Sequence, residues 1–558
     1  MRILLIVPLL MGFLVSLSAT AAFVPNDQLI SDPAVSVHDP EFDNSLRRMV
    51  WQDLDGNLWL AGINPNTWVI FPVDGKGTLV DTGLSSMAGV GNGPEFFYGL
   101  DKTLITYTKT FGTQRAIATA RQNASDEWVS GGLTDGVDRW RPFGTRQGTS
   151  GEHKLVYTHK IDETTTGISW RTTDDPASEQ TITTHGDAGS RWFENEDAFL
   201  VGYKDGGVHR LYRVDALTQA VEQISHGADQ VFNGIPWFAP EAASGAGQTV
   251  ISASVNFDTV GMFLKVDGVW YKIYSVTLPS TYTYVSSPEP FVYKGRSFVT
   301  VIAAESLAGV EPLPYVPTVA SEVWVISADL NNPFARKIDD GTVKLRLEPE
   351  PLILKDDAVV YFSAIDDVTG NSTLHVADTG LGDDDWDDDT IVNRDDNCVE
   401  VSNVFQVDTD DDGLGNSCDD DDDNDGLDDI TENALGTNAR LVDTDGDGLN
   451  DFDEVNMDGD PSSYLEGTDT NPINADTDGD LLNDGEDLLP LIPYLAGDIA
   501  PLGAPDGVVN GADYLIAERI VKGQLVATPT ELAHGDLYPP DGGDGIINVQ
   551  DLLLIIQQ

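Results

Sequence analysis

Between about Phe23 and Asp378 the chain repeats one hydrophobic pattern. A phrase containing Trp or Pro-Glu is followed by a run of apolar and β-branched residues and then by a turn rich in Asp and Gly. Pro94-Glu95-Phe96-Phe97 leads to Leu104-Ile105-Thr106-Tyr107, and Arg139-Trp140 leads to Leu155-Val156-Tyr157-Thr158. Arg191-Trp192-Phe193 and Pro236-Trp237 lead to the runs at 199–203 and 250–253. Pro288-Glu289-Pro290 and Pro349-Glu350-Pro351 lead to those at 298–301 and 359–362. A degenerate first copy is read from Trp51 to Ala61. Further runs, such as Leu211–Asp215, Val323–Ile326 and Leu374–Asp378, close several copies. Short β-forming runs bounded by turn residues predict strands. The leading phrases stand 43 to 61 residues apart. A repeat of that size with about four strands predicts propeller blades, because one small sheet cannot cover its own two faces and a ring of sheets can. About seven blades are expected, making the chain mainly β. A pair of β-sandwiches is the competing architecture.

The pattern changes at Thr379. From there to about Pro490 the chain is rich in Asp, Gly and Asn. Leu381 to Pro490 holds 38 acidic residues and two basic ones, Arg394 and Arg440, out of a net charge of −62 for all 558 residues. This balance excludes nucleic acid, which needs a basic footprint, and favours cations. The acids are regularly spaced. Asp443, Asp445, Asp447, Asp451 and Glu454 occupy positions 1, 3, 5, 9 and 12 of a loop with Gly448 at position 6. This is how an EF-hand-type loop collects the six to eight oxygens that calcium requires. Asp421, Asp423, Asp425 and Glu432 repeat positions 1, 3, 5 and 12 with Gly426 at 6, and Asp408, Asp410, Asp412 and Asp419 do so with Gly413. Asp476, Asp478, Asp480 and Asp487 make a fourth loop in which Leu481 replaces the glycine. Calcium is the expected cofactor. A solvated, disordered acidic run is the alternative, and it is retained only for Asp383–Asp389, read as a charged linker.

The phrase Asp396-Asn397-Cys398 … Gln406-Val407-Asp408 … Asp412-Gly413-Leu414-Gly415-Asn416-Ser417-Cys418-Asp419 resembles thrombospondin type 3 repeats, with Val399 where that family usually has Pro. The copies at Asp443–Glu454 and Asp476–Asp487 resemble its shorter bacterial form. The resemblance implies an ion-wrapped rod with little apolar core, a Cys398–Cys418 disulfide, and an adhesive or cell-surface setting. The strands of the first region resemble those of Tol-type periplasmic propellers.

Beyond about Leu491 two copies of one phrase stand 38 residues apart, around Asp506-Gly507 … Asn510 … Asp513 and Asp544-Gly545 … Asn548 … Asp551. Each precedes an apolar run that predicts a helix, Tyr514 to Val521 and Leu552 to the end. The half-loop resembles the dockerin repeat, a paired calcium loop-helix that plugs into cohesin receptors. The resemblance implies calcium ligands at Asp506, Asn510, Asp513, Asp544, Asn548 and Asp551, and a cohesin-like partner. Inserts bearing Pro501 and Pro505, and Pro539 and Pro540, depart from it.

Arg2, the apolar run Ile3–Leu17 and Ala19-Thr20-Ala21 predict a secretory leader over 1–22, with no membrane insertion once it is cleaved. The expected domains are thus a leader (1–22), a propeller (23–378), calcium-binding repeats (379–490) and a dockerin-like module (491–558). No nucleophile elbow and no His-Glu-x-x-His motif occurs. Glu95, Glu289 and Glu350 share one place in three repeats, as structural residues more often do than catalytic ones. The expected function is a secreted or cell-surface calcium-binding adhesion protein, its propeller facing an extracellular protein or glycan. The alternative is a component of polysaccharide binding or degradation with a docking module.

Overall fold

The structure is a computed structural model. It describes residues 14–16 and 27–558 except 33, 35, 44–46, 72–76, 87–92, 97–103, 126, 134, 145–153, 163–165, 174, 184–190, 194–196, 240–247, 309–315, 329–333, 355, 367, 480–482, 488–489, 492–494, 504, 540–542 and 558. The leader expected over 1–22 lies outside these residues apart from Leu14–Ser16, a short strand parallel to Ser275–Thr277. The chain divides into two compact units, Met1–Asp384 with Asn393–Asp395, and Asp385–Val392 with Asp396–Gln558.

The first unit is a seven-bladed β-propeller. Each blade is built from antiparallel strands in sequence order, apart from Leu14–Ser16 added in parallel to the fifth blade and Gln28–Leu29 added to the last, and the blades begin on the strands His38–Asp43, Glu95–Phe96, Arg139–Gly144, Arg191–Trp192, Val231–Ala239, Tyr284–Tyr293 and Arg346–Leu354. The sandwich alternative is thereby set aside. The first blade corrects the sequence reading. Its innermost strand is His38–Asp43, and Trp51 lies one strand further out, paired through Arg48–Gln52. The Pro40-Glu41 pair is therefore the missing member of the Pro-Glu series.

The apolar core sits between blades. Phe143, Val156 and Ile168 of the third blade pack with Trp192, Phe199 and Tyr212 of the fourth. Val50 and Leu58 of the first pack with Ile105 and Tyr107 of the second. A strand buried on both faces reads as a continuous apolar run, which is why Arg296–Ala304 and Asp357–Ile365 are almost wholly buried.

The ring is closed by two residues from the start of the chain. Gln28–Leu29 adds as the fourth strand of the last blade, with Gln28 opposite Val376 and Leu29 opposite His375. A two-residue strand supplies little by itself, and charge reinforces it. Asp27 Oδ1 lies 2.7 Å from His375 Nδ1, and Asp27 Oδ2 lies 3.8 Å from the guanidinium of Arg346. Arg346 is completely buried. It also faces Asp339 at 3.6 Å, bonds Asp340, and donates to the carbonyls of Ser321 and Thr342 at 2.9 and 3.0 Å.

In the second unit, five short helices stand among the described residues. The acidic segment carries α1 (Asp429–Leu435) and α2 (Asp451–Val455). The C-terminal segment carries α3 (Gly511–Val521), α4 (Pro529–Gly535) and α5 (Val549–Ile555), packed around Ile499, Ala517, Ile547 and Ile555. The expected helices are thus α3 and α5, each begun earlier by an Asn N-cap in a capping box with Asp513 or Asp551. The intervening α4 is an addition to the sequence reading.

Removing one member of a buried ion pair leaves the other charge unpaired and costs about 3–5 kcal/mol, whereas an exposed pair is worth about 1 kcal/mol or less. Arg346→Ala is therefore expected to cost several kcal/mol in denaturant unfolding followed by tryptophan fluorescence. Lys265→Ala, which breaks the exposed Lys265–Glu222 pair, is expected to leave the transition within about 1 kcal/mol.

Candidate metal centres

The acidic loops bring carboxylates together as the alternation of their sequence requires. Asp408, Asp410 and Asp412 each offer an oxygen within 4.8 Å of the others, as do Asp421, Asp423 and Asp425, and Asp443, Asp445 and Asp447. An ion bound at calcium's 2.3–2.6 Å from each oxygen has ligands across it about this far apart. The backbone makes the convergence possible. The glycines at position 6, Gly413, Gly426 and Gly448, have φ of 99°, 106° and 102°, a left-handed conformation that costs glycine nothing. The first carboxylate ties each loop internally, as where Asp443 accepts from the N–H of Gly446 at 2.7 Å and of Gly448 at 2.9 Å. In the fourth loop Asp476 accepts from Gly479 at 2.8 Å, while Asp480 and Leu481 lie outside the described residues.

Two features differ from the sequence reading. The stretch taken as a linker contains a further cluster, Asp385, Asp387 and Asp389. It follows the same spacing, with Asp396 twelfth and Thr390 at the sixth place. Thr390 has φ 82°, and Asp388 at the fourth place has φ 62°, matching Asp411 at 62° in the next loop. The alternating Asp was visible in the sequence. The missing glycine hid the loop.

The second feature is a site between loops. Asp447, Glu454 and Asp484 converge within 4.8 Å, and all three are buried. Asp484 also accepts from the N–H and hydroxyl of Thr477, at 2.9 and 2.6 Å. Asp451, expected as a ligand, makes the same brace in its own loop with Thr444, at 2.9 and 2.7 Å. Asp419, Glu432 and Asp487, expected at twelfth positions, join no convergent group among the described residues, whereas Glu454 does.

The donor set fits a cation. Both carboxylate oxygens of Glu454 and both of Asp445 are buried without a hydrogen-bond partner, as is one oxygen of Glu432 and one of Asp423. Burial, then the negative charges of Asp445 and Asp447, push Glu454 up to about 9. Burial, then Asp423 and Asp425, push Glu432 up to about 8. Groups so placed lack a positive charge, and the chain supplies almost none. Arg394 pairs with Asp357 and Asp383 in the propeller unit, which leaves Arg440, 3.0 Å from Asp422, to the loops.

The C-terminal candidates behave differently. Asp513 Oδ1 accepts from the N–H groups of Ile499 and Ala500, both at 2.8 Å, and Oδ2 from Asn510 at 2.6 Å. Asp551 does the same with Leu537, Tyr538 and Asn548. Asn510 and Asn548 cap helices, and Asp506 and Asp544 accept from Val508 and Ile546. Among the described residues no three acidic groups converge in this segment.

Cys398 and Cys418 form a disulfide, with Cα atoms 5.7 Å apart, as the thrombospondin-like phrase implies.

No protein-family model matches the chain, and no curated protein matches it. Many solved structures are similar to the chain, and three of them serve as examples. A putative TolB from Agrobacterium tumefaciens is 15% identical over 43% of this chain and 81% of that one, with a TM-score of 0.31. TolB from Acinetobacter baumannii is 11% identical over 59% and 78%, with a TM-score of 0.31. The β-propeller domain of Myceliophteria thermophila Cps50 (Swd1) is 9% identical over 62% and 99%, with a TM-score of 0.38. Likenesses this distant carry no argument about function, and the blade count rests on the seven sheets themselves.

Successive loops meet at Gly485, whose N–H donates to Asp447 Oδ2 at 3.2 Å. A Cβ on Gly485 lies 2.6 Å from the carbonyl oxygen of Asp447. Gly485→Ala is therefore expected to separate the two loops, read as faster protease cleavage between residues 450 and 490 with the propeller's melting unchanged.

Proposed function

We propose that this is a secreted or cell-surface calcium-binding protein in which thrombospondin type 3-like loops carry a ligand-binding propeller. The observation that carries the reading is the buried trio Asp447, Glu454 and Asp484, with both oxygens of Glu454 unpartnered. Three carboxylates held together away from water repel one another and keep the full cost of desolvation. A hard divalent cation with oxygen ligands removes both penalties. Asp443, Asp445 and Asp447 hold one ion in this reading, and Asp421, Asp423 and Asp425 another. Asp408, Asp410 and Asp412, and Asp385, Asp387 and Asp389, hold two more. Asp447 is shared with the site that Glu454 and Asp484 complete, so that occupancy of one loop organises the next.

The scarcity of apolar burial supports the same conclusion. Between 385 and 490 the buried apolar side chains among the described residues are Cys398, Leu427, Val455 and Pro472, while Phe405 is 91% exposed. Such a segment cannot offset its chain entropy by hydrophobic burial. The ion supplies the missing free energy. At a free calcium concentration about a hundred times the dissociation constant, each site contributes about 2.7 kcal/mol. The propeller has apolar cores of its own and needs no ion. The C-terminal helical segment is proposed as a dockerin-like docking element, since its two Asp-Gly … Asn … Asp phrases form matching capped halves. A cohesin-like receptor is its proposed partner, and an extracellular protein or glycan is that of the propeller.

Limited proteolysis of the full chain with calcium and with chelator tests the proposal. Chelation is expected to open the stretch from 385 to 490 to rapid cleavage and to leave the propeller resistant. Equal, slow cleavage in both conditions would falsify the calcium reading. Glu454→Gln, which keeps the shape and removes the charge, is expected to weaken calcium binding in calorimetry by about tenfold or more at one site. Removing one charge of a buried pair costs 2–5 kcal/mol.

A further inference from the structure

The innermost strands of the propeller surround a cavity of about 340 Å³, within the range of small-molecule sites. Each blade contributes one residue of its first strand, which in the first, third, fifth, sixth and seventh blades stands just after a bulge. In the sixth, seventh, first and second blades that residue is Glu289, Glu350, Glu41 and Glu95, paired across the sheet with Thr300, Tyr361, Val50 and Thr106. In the third, fourth and fifth blades it is Phe143, Arg191 and Ile235. All seven line the cavity. Its wall is therefore an acidic arc facing an arc of two apolar side chains and one cation.

The charges do not cancel. Arg191 stands 3.9 Å from Glu289, at the outer limit of an ion pair. Glu41 is 8% exposed and lines the cavity, and among the described residues its side chain has neither a hydrogen bond nor an ion pair. Glu350 has none either. Burial, then Glu95, Glu350 and Asp39, push Glu41 well above the usual carboxylate range, and burial, then Glu289, does so for Glu350. Asp39 and Glu348, at the bulges beside the ring, add to the negative field, and Arg141 opposes it at Asp39. Among the described residues these glutamates form no group with ligand atoms within 4.8 Å of one another. They are thus too widely spaced to chelate a bare metal ion, whose oxygens must all lie about 2.0–2.6 Å from one centre.

The geometry points to the channel as a receptor site for a small organic cation, an amine or guanidine whose several N–H donors span the carboxylates of Glu41, Glu95 and Glu350 while its chain lies against Phe143 and Ile235. A planar guanidinium or an ammonium offers three to five donors in different directions, which suits acceptors spread along an arc. The apolar side of the channel accommodates methylenes, and the aromatic rings of Trp192 and Trp237, which also line it, add favourable faces for a cation. This site is separate from the acidic loops and does not depend on calcium.

Agmatine, with an ammonium and a guanidinium on one short chain, is a suitable probe. It is titrated calorimetrically into the full chain with the loops saturated in calcium, at about 150 mM salt so that surface charges are screened. Saturable one-to-one binding is expected. The double variant Glu41→Gln/Glu350→Gln is expected to weaken it at least about tenfold. That variant replaces two carboxyl groups that have no side-chain partner with neutral amides of the same shape, so its melting temperature should equal or exceed the parent's. Ile235→Trp, which fills the cavity and alters no charge, is expected to give the same loss. Binding that survives both changes, or the absence of saturable binding to the parent chain, overturns the assignment.

Discussion

Among the described residues between 385 and 490 ten carboxylates are buried, against four apolar side chains, Cys398, Leu427, Val455 and Pro472. The usual relation between inside and outside is inverted there, since the groups that water solvates best are the ones withdrawn from it. Burial of one unpaired carboxylate costs several kcal/mol, a cost that positive charge or a proton at the site removes. Arg440 cannot meet that need, with its side chain 59% exposed and one partner, Asp422. In the proposed reading the remaining compensation comes from cations bound by the loops, and the loop backbone suits it. First-position carboxylates bond the N–H groups of their own turns, Asp451 and Asp484 at ninth positions brace threonines, and the oxygens left over face one another.

The propeller solves the opposite problem. Its strands are apolar on both faces, so each blade requires a neighbour, and each cluster of buried side chains draws from two adjacent blades. A ring built this way has one open seam, between the last blade and the first. The seam is covered by apolar packing of Phe42, Met49 and Trp51 against Leu352, Tyr361 and Leu374, and by the added strand Gln28–Leu29. Inside the ring, the side chains of Glu41 and Glu350 on the innermost strands have no hydrogen bond or ion pair among the described residues. The molecule thus places unmet negative charge at two kinds of site, convergent in the loops and dispersed in the channel.

What the sequence conveyed followed from how local each signal is. Blade strands were legible because alternation and turn residues act within a few positions. The carboxylates at positions 1, 3 and 5 were legible for the same reason, and glycine at position 6 marked the turn. Thr390 broke that marker, so the loop from Asp385 to Asp396 read as a linker although its backbone follows its neighbours. The part played by Asp484 was hidden more deeply. Its partners Asp447 and Glu454 belong to the preceding loop, and no spacing within one repeat reveals a contact between two. The closing strand Gln28–Leu29 is two residues long and has no periodicity to detect. Helix α4, by contrast, carried a local signal that went unread, with Thr528 at the N-cap, Pro529 after it and Glu531 completing the capping box.

The closing strand has a mechanical consequence. Gln28 pairs with Val376 and Leu29 with His375, antiparallel, so the beginning and the end of the propeller chain leave the last blade at the same edge. Tension between those ends acts at the outermost pair first and peels the strand bond by bond, instead of sliding it against all its bonds together. Asp27, held by His375 and Arg346, stands at the end where peeling begins. The other six blades lie outside the line of force until that clasp yields. The ring therefore has one predetermined place to open under load, and a single aspartate guards it.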